Sequence, residues 1–312
     1  MLYWRNSPVE GKYMENQISH NKKFKFSGHD TFPLRYGWLY KIVQEGAKGD
    51  SFTNPEQDMI KYGVGKNMVT AMKYWGKSFG ILSDEHKTIT QFGERIFGEN
   101  GYDKYLEDDG TLWILHWKLA RAISTNTLWW WAFNIFPDLY FDKKIMFKSL
   151  KQYLSENGET KIVDNSLKKD IDCFINTYTV RPLEKNEITE NTLQCPLAEL
   201  GLIQERTNRG EYKFQTMNKK DIPSLIFFWA LSDYWNSLDR KTETLSLEEI
   251  TYNANSPGKI FKLDESSITS YLSEIEIASN KKFKWSETLG TRQVQKIKEI
   301  KDPNFFLEKY YK

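Results

Sequence analysis

Along most of this chain the apolar residues recur every three or four positions, the spacing of helices that bury one face. Leu34, Trp38, Leu39 and Ile42 repeat this way behind Pro33, which predicts a helix with proline in its first turn. Asn54-Pro55 is a cap followed by a first-turn proline and opens a short helix, Pro55–Tyr62. Gly63-Val64-Gly65 is turn chemistry, and the helix Lys66–Phe79 that follows ends at Gly80. Ile81-Leu82 and Thr88-Ile89-Thr90 flank a polar turn carrying His86 and read as a two-stranded ribbon, followed by Phe92–Phe97. Helix, glycine turn, helix and ribbon, over about 54–98, is the order of a winged helix-turn-helix.

The remaining periodicity is also helical. Trp113, Leu115, His116, Trp117, Leu119 and Ala120 predict a buried helix, and Trp129-Trp130-Trp131 opens another buried element after a Ser124–Thr127 break. Residues 141–180 place Phe147, Leu150 and Leu154 on one helical face and Leu167, Ile171, Phe174 and Ile175 on another, before a polar crossing at 181–193. A hairpin is predicted around Asn208-Arg209-Gly210. An aromatic-rich helix, Ile222–Trp235, follows it. A helix pair, Leu245–Ile250 and Glu265–Ile277, then precedes a ribbon of Lys282–Trp285 and Thr291–Ile297. The expected organisation is an arm over 1–25, a helical domain over 26–185 and a second winged-helix-like domain over 186–312. The fold class is mainly α: winged helix-turn-helix-like units with small β-ribbons around a Trp-rich helical core.

Composition narrows the class. At 312 residues the chain is long enough to bury a core without disulfides. Cys173 and Cys195 make neither a disulfide framework nor a complete zinc site. No apolar stretch reaches the roughly 18 residues that cross a bilayer, and the first residues lack the apolar core of a secretory leader, so the expectation is a cytoplasmic protein with no membrane role. Eleven Trp, seventeen Tyr and nineteen Phe are more than a core alone requires.

Net charge is only +2, but the charges are segregated. Lys61, Lys66, Lys73 and Lys77 lie in a stretch without an acid, whereas 94–109 is acidic. At about 100° per residue, Met68, Met72, Trp75 and Phe79 share one face of the second helix while Lys66, Thr70, Lys73 and Lys77 share the opposite one. With no acid at i,i+4 to pair these lysines, Lys66, Asn67, Thr70, Lys73, Tyr74 and Lys77 are candidate contacts to double-stranded DNA. A solvated lysine face is the bland alternative.

Other motifs carry less. Gly63–Asn67 lacks both the first glycine and the Ser/Thr of a phosphate-binding loop. Pro137-Asp138 with Glu159-Thr160-Lys161 matches a nuclease spacing in a stretch that reads as helix, an accidental match. His116 reads as a satisfied core histidine. The densest polar group is His29, Asp30, Arg35, Tyr36 and Lys41. His29 could serve as general base and Arg35 and Lys41 could hold a scissile phosphate, with Asp30 beside them. Spacing alone favours the plainer reading, in which His29 and Asp30 cap and brace the Pro33 helix and Arg35 makes a structural ion pair. No metal ligands are identified, which leaves a divalent ion, Mg or Mn, open as cofactor.

Five blocks in order carry a family resemblance: FSGHDTFPLRYGWLYK (Phe26–Lys41), GVGKNMVTAMKYW (Gly63–Trp75), ITQFGERIFG (Ile89–Gly98), YLEDDGTLWILHWKLA (Tyr105–Ala120) and CPLAELGLI (Cys195–Ile203). Together they resemble domain-of-unknown-function family 4007, which includes the DNA nickases of Ssp phosphorothioation systems; Asp30 departs from the glutamate that the family pattern favours. The resemblance implies DNA binding and strand nicking for sulfur insertion, beside sulfur-transfer and ATPase partner proteins. The alternative is a non-catalytic winged-helix adaptor that recruits enzymes to DNA.

Overall fold

The computed structural model describes residues 24–46, 48, 52–83, 88–180, 194–207, 210–238, 242–288, 290–300 and 302–312. Most of the expected arm, His86, the crossing at 181–193 with the domain boundary expected inside it, and Asn208-Arg209 lie outside the described residues.

The first helix, α1 (Trp38–Gly46), starts later than Pro33 suggests. Gly37 has φ +77°, a left-handed conformation that a right-handed helix cannot run through, so Pro33–Gly37 is a turn that still buries Leu34. The next two helices follow their signals. In α2 (Pro55–Tyr62) the Asn54 side chain caps the amides of Glu56 and Gln57, and Gly63 closes the helix at φ +65°. In α3 (Lys66–Ser78) Val69, Ala71, Met72 and Trp75 face the core, while Met68 is only half-buried. The ribbon expected after it is a single antiparallel bridge, Leu82 to Ile89, among the described residues. Thr90 leaves it to cap α4 (Gln91–Phe97), with its Oγ1 accepting from the Gly93 amide.

The tryptophan zone forms α5 (Asp109–Arg121) and α6 (Thr127–Asn134), and every residue of α6 is buried. A helix apolar all round belongs in the middle of a core. Trp75, Trp113, Trp117, Trp129 and Trp131 are each less than 2–3% exposed, so the aromatic excess goes largely into packing. Three of these indole N–H groups find acceptors: Trp75 at Phe32 O (2.9 Å), Trp113 at Asp221 O (2.9 Å) and Trp117 at Asp233 Oδ2 (2.8 Å).

After β1 (Tyr140–Phe141) come α7 (Lys143–Glu156) and α8 (Asp164–Tyr178). The predicted hairpin is β2 (Ile203–Thr207) with β3 (Glu211–Phe214), but β1 adds to it, giving the order β1-β3-β2 with Phe141 opposite Tyr212. Then follow α9 (Ser224–Asn236), β4 (Thr244–Ser246), α10 (Leu247–Tyr252), α11 (Pro257–Ile260), α12 (Glu265–Leu272), α13 (Ile275–Ala278), β5 (Phe283–Thr288), β6 (Thr291–Lys296) and α14 (Phe305–Tyr311). Residues Thr244–Ser246, partly read as helix from sequence, pair with β6 instead, because Ser246 and Glu249 form a capping box that starts α10 at Leu247. The second sheet has the order β4-β6-β5. One hydrophobic cluster runs from Leu34 to Leu307 through both halves.

Candidate nucleic-acid interface

The polar side of α3 carries three lysines and the helix contains no acid. Lys66, Asn67 and Thr70 are exposed, and Lys73 and Lys77 are half-buried beside them. Among the described residues neither Lys66 nor Lys73 has an acidic partner. The start of α3 is also open. Gly65 provides no side-chain cap and the first turn has no acid, so its leading amides and the positive end of the helix dipole face outward with Lys66. Such a terminus suits an anion.

Tyr74 does not share that surface as expected. Its ring turns inward and meets His29, Trp75 and Trp129 at centroid distances of 5.4, 5.2 and 6.3 Å, and burial pushes its phenol well above the usual tyrosine range, with Asp170 adding to the shift. A Cβ on Gly28 would stand 3.0 Å from the Tyr74 ring, and Gly28 has φ +111°, so this approach requires glycine.

The loop that carries His29 is pinned between α3 and α8. His29 is 1% exposed; its Nδ1 accepts from the Thr31 amide (3.1 Å), which leaves the proton on Nε2, facing Asp170 Oδ1 at 3.1 Å. Asp170, 2% exposed, also accepts from the Ser27 amide through both oxygens (3.1 and 3.0 Å). Both ring nitrogens of His29, expected as a general base, are thus engaged in hydrogen bonds within the fold. Around it Ser27, Asp30 and Thr31 hold φ +65°, +49° and +69°, three non-glycine residues in the left-handed region, a costly conformation that the surrounding contacts enforce.

The other sequence-predicted catalytic residues do not converge on His29. Asp30 is exposed at the loop tip. Arg35 is 8% exposed, with its guanidinium near the rings of Phe32 (5.5 Å) and Trp38 (5.6 Å). Lys41 is exposed and among the described residues reaches Tyr62 O, at 3.4 Å. Tyr36 donates to Glu199, and burial together with that carboxylate raises its phenol far above the ordinary value. Sequence reasoning missed Asp170. Its signal was an acid on the Leu167–Ile171–Phe174 face of α8, where an unpaired carboxylate would be costly. His116 is the expected core histidine: it accepts from Tyr178 Oη (2.8 Å), donates to Ile260 O (2.9 Å), and burial lowers it to about 3.

A second basic segment in the sequence, Lys281, Lys282, Lys284, Arg292, Lys296, Lys298 and Lys301, is arranged differently over its described residues. Arg292 pairs with Glu265 (3.2 Å) and Glu287 (3.1 Å), Lys282 lies 4.1 Å from the Phe305 ring, and Lys296 lies 4.8 Å from the indole of Trp235. The adjacent helix α12 begins with Asp264, which caps the Ser267 amide, followed by Glu265.

Among the described residues no group of three His, Cys, Asp or Glu side chains could hold a metal ion. No described helix is long and apolar enough to cross a membrane.

A sequence profile of the family described as "Protein of unknown function (DUF4007)" matches residues 26–311. The chain is similar to a crystal structure of SspB, 27% identical over 92% of this chain and 88% of that one, with a TM-score of 0.77. A magnesium ion-bound SspB crystal structure is similar at 28% identity and TM-score 0.75, over 87% of this chain and 83% of that one. No curated protein matches.

Proposed function

The chain belongs to the DUF4007 family, and we propose that it is a double-stranded-DNA-binding protein of a bacterial DNA phosphorothioation system, with α3 laid against the duplex. The observation that carries this reading is the stripe of exposed Lys66, Asn67 and Thr70 with half-buried Lys73 and Lys77, running from an uncapped helix start. In this reading α1, α2, α3 and the Leu82–Ile89 bridge are a winged helix whose second turn-linked helix contacts DNA. The order α9-β4-α10-α12-β5-β6, with sheet order β4-β6-β5, supports a second such unit.

Strand nicking to admit sulfur is the activity the family resemblance brings, in concert with sulfur-transfer and ATPase proteins. The exposed, left-handed loop Ser27–Thr31 beside α3 supports placing the reacting phosphodiester there, with Asp30 as its solvent-facing carboxylate. The second reading, a non-catalytic adaptor, is favoured by the closed hydrogen bonding of His29. The magnesium-bound SspB structure supports including Mg²⁺ and Mn²⁺ in the test.

Supercoiled plasmid incubated with the purified chain and either metal distinguishes these readings. Conversion to open circle, lost in Asp30→Asn while DNA retardation persists, is the expected result for the nickase. Retardation without relaxation selects the adaptor, and absence of retardation at low salt overturns the DNA-binding reading.

A further inference from the structure

At the C-terminal end of α3 the lysine stripe runs into a shallow cleft of about 450 Å³ between α3, α5 and α9, lined by Lys77, Phe79, Lys118, Arg121, Thr125 and Asp233 among others. Among the described lining residues Lys77, Lys118 and Arg121 are cationic and Asp233 is acidic. That acid is already engaged, since Asp233 accepts from the Trp117 indole (2.8 Å) and pairs with Arg121, whose other amino group donates to Ser237 Oγ (2.6 Å). Lys118 has no carboxylate in hydrogen-bond contact among the described residues, and its ammonium lies 4.1 Å from the Phe92 ring centroid. Burial lowers its pKa from the ordinary lysine value, Asp233 opposes that shift and Arg121 adds to it. Gly80, at φ +68°, ends α3 so that even a Cβ there would come within 3.7 Å of the Lys118 ammonium. A largely enclosed cation with no direct counter-ion, in a cleft of net positive charge, is an arrangement that a bound anion stabilises.

We propose that this cleft seats a phosphodiester group of the DNA strand lying on α3, with Lys118 as its central contact and Lys77 shared between stripe and cleft. The proposal rests on the DNA-binding reading of α3. The scale agrees: at 1.5 Å per residue Lys66 to Lys77 spans about 16 Å, or roughly five phosphates of one strand at ~3.4 Å of axis each. The cleft lies at the end of that track.

The test is a lysine-labelling footprint read by mass spectrometry on the full chain, alongside fluorescence anisotropy with a labelled duplex over a salt series. The duplex is expected to protect Lys118 from acylation at concentrations that saturate anisotropy. Lys118→Gln should lower affinity about tenfold and flatten the log–log salt slope by about one, and Lys118→Arg should restore most of both. Protection by inorganic phosphate alone at similar occupancy, without protection by the duplex, would assign the cleft to a free anion and overturn the proposal. Normal duplex binding with unprotected Lys118 overturns the cleft while leaving α3 intact. If neither wild type nor Lys118→Arg binds duplex while circular dichroism shows both folded, the α3 reading fails and the cleft proposal fails with it.

Discussion

The N-terminal and C-terminal units present similar elements to solvent with opposite electrostatics. In the first, α3 begins at an uncapped Gly65 with no acid in its first turn, and Lys66 and Lys73 have no acidic partner among the described residues. In the second, α12 begins with Asp264 on its own amide and Glu265 beside it, and Arg292 is held between Glu265 and Glu287. A carboxylate at a helix N-terminus occupies the position a phosphate would take, and a paired arginine has few counter-ions to release. Counting basic residues in the sequence makes the two units look alike. Their partners separate them: among the described residues the start of α3 has no acid beside it, whereas the start of α12 carries two.

The largest effect expected from this contrast comes from reversing charge on α3. Lys66→Glu with Lys73→Glu should weaken duplex binding roughly a hundredfold at moderate salt and reduce the slope of log affinity against log salt by about two. Arg292→Ala should stay within about threefold, since its charge is already neutralised by two carboxylates. Anisotropy titrations at several salt concentrations measure both. Equal losses in the two variants would break the comparison.

A second expectation concerns the brace behind α3. His29→Ala removes the partner of a buried carboxylate and should cost about 2 kcal/mol in urea unfolding, with Asp170 still held by the Ser27 amide. At α12 the acids that meet Arg292, Glu265 and Glu287, are exposed instead. The brace also marks where the sequence was legible and where it was not. Asn54, Gly63 and Gly80 announce the ends of α2 and α3 by local backbone chemistry, so those helices could be drawn from spacing alone. Pro33 misled because Gly37, four residues on, takes a left-handed conformation that no periodicity reveals. His29 and Asp170 lie 141 positions apart, and a pair that tertiary packing alone brings together leaves no local pattern. The same holds for Lys118 and Arg121, which read as ordinary polar positions of a buried helix until α3 and α9 close around them. Tyr74 was placed with the lysines by its neighbours in sequence, although one residue's rotation around α3 is enough to turn it toward Trp129.

The two units are also coupled through His116, which links Tyr178 on α8 to the Ile260 carbonyl on α11. Folded, this histidine is held down to about 3, against 6.5 for the free side chain, so the unfolded chain takes up a proton that the folded chain refuses. Its contribution is complete above pH 6.5 and falls away as pH drops towards 3. Relative to pH 7.5, about 1 kcal/mol should be gone by pH 5.5. Urea midpoints across that range test this, and a folded His116→Gln variant should show a flatter profile. An unchanged pH dependence in that variant would place the acid sensitivity elsewhere.

The smallest expected effect isolates the helix start itself. Gly65 has φ −68°, and a Cβ built there meets nothing within 4 Å, so a side chain can be added without strain. Gly65→Asn and Gly65→Asp both supply a cap to the free amides of α3, and each should change stability by only a few tenths of a kcal/mol, since glycine is itself tolerated at that position. They differ by one charge at the same place. If an outside phosphate uses the open terminus, Asn should weaken duplex binding slightly and Asp about fivefold, with the gap closing as salt rises. The reciprocal change, Asp264→Asn on α12, should leave DNA affinity unchanged, because Glu265 remains in that first turn. A gap between Asp and Asn at Gly65 that persists at high salt would mean that the carboxylate acts through altered structure of α3 rather than by competing with a phosphate. Equal binding by both variants at low salt would show that the duplex touches the lysine stripe without reaching the helix start.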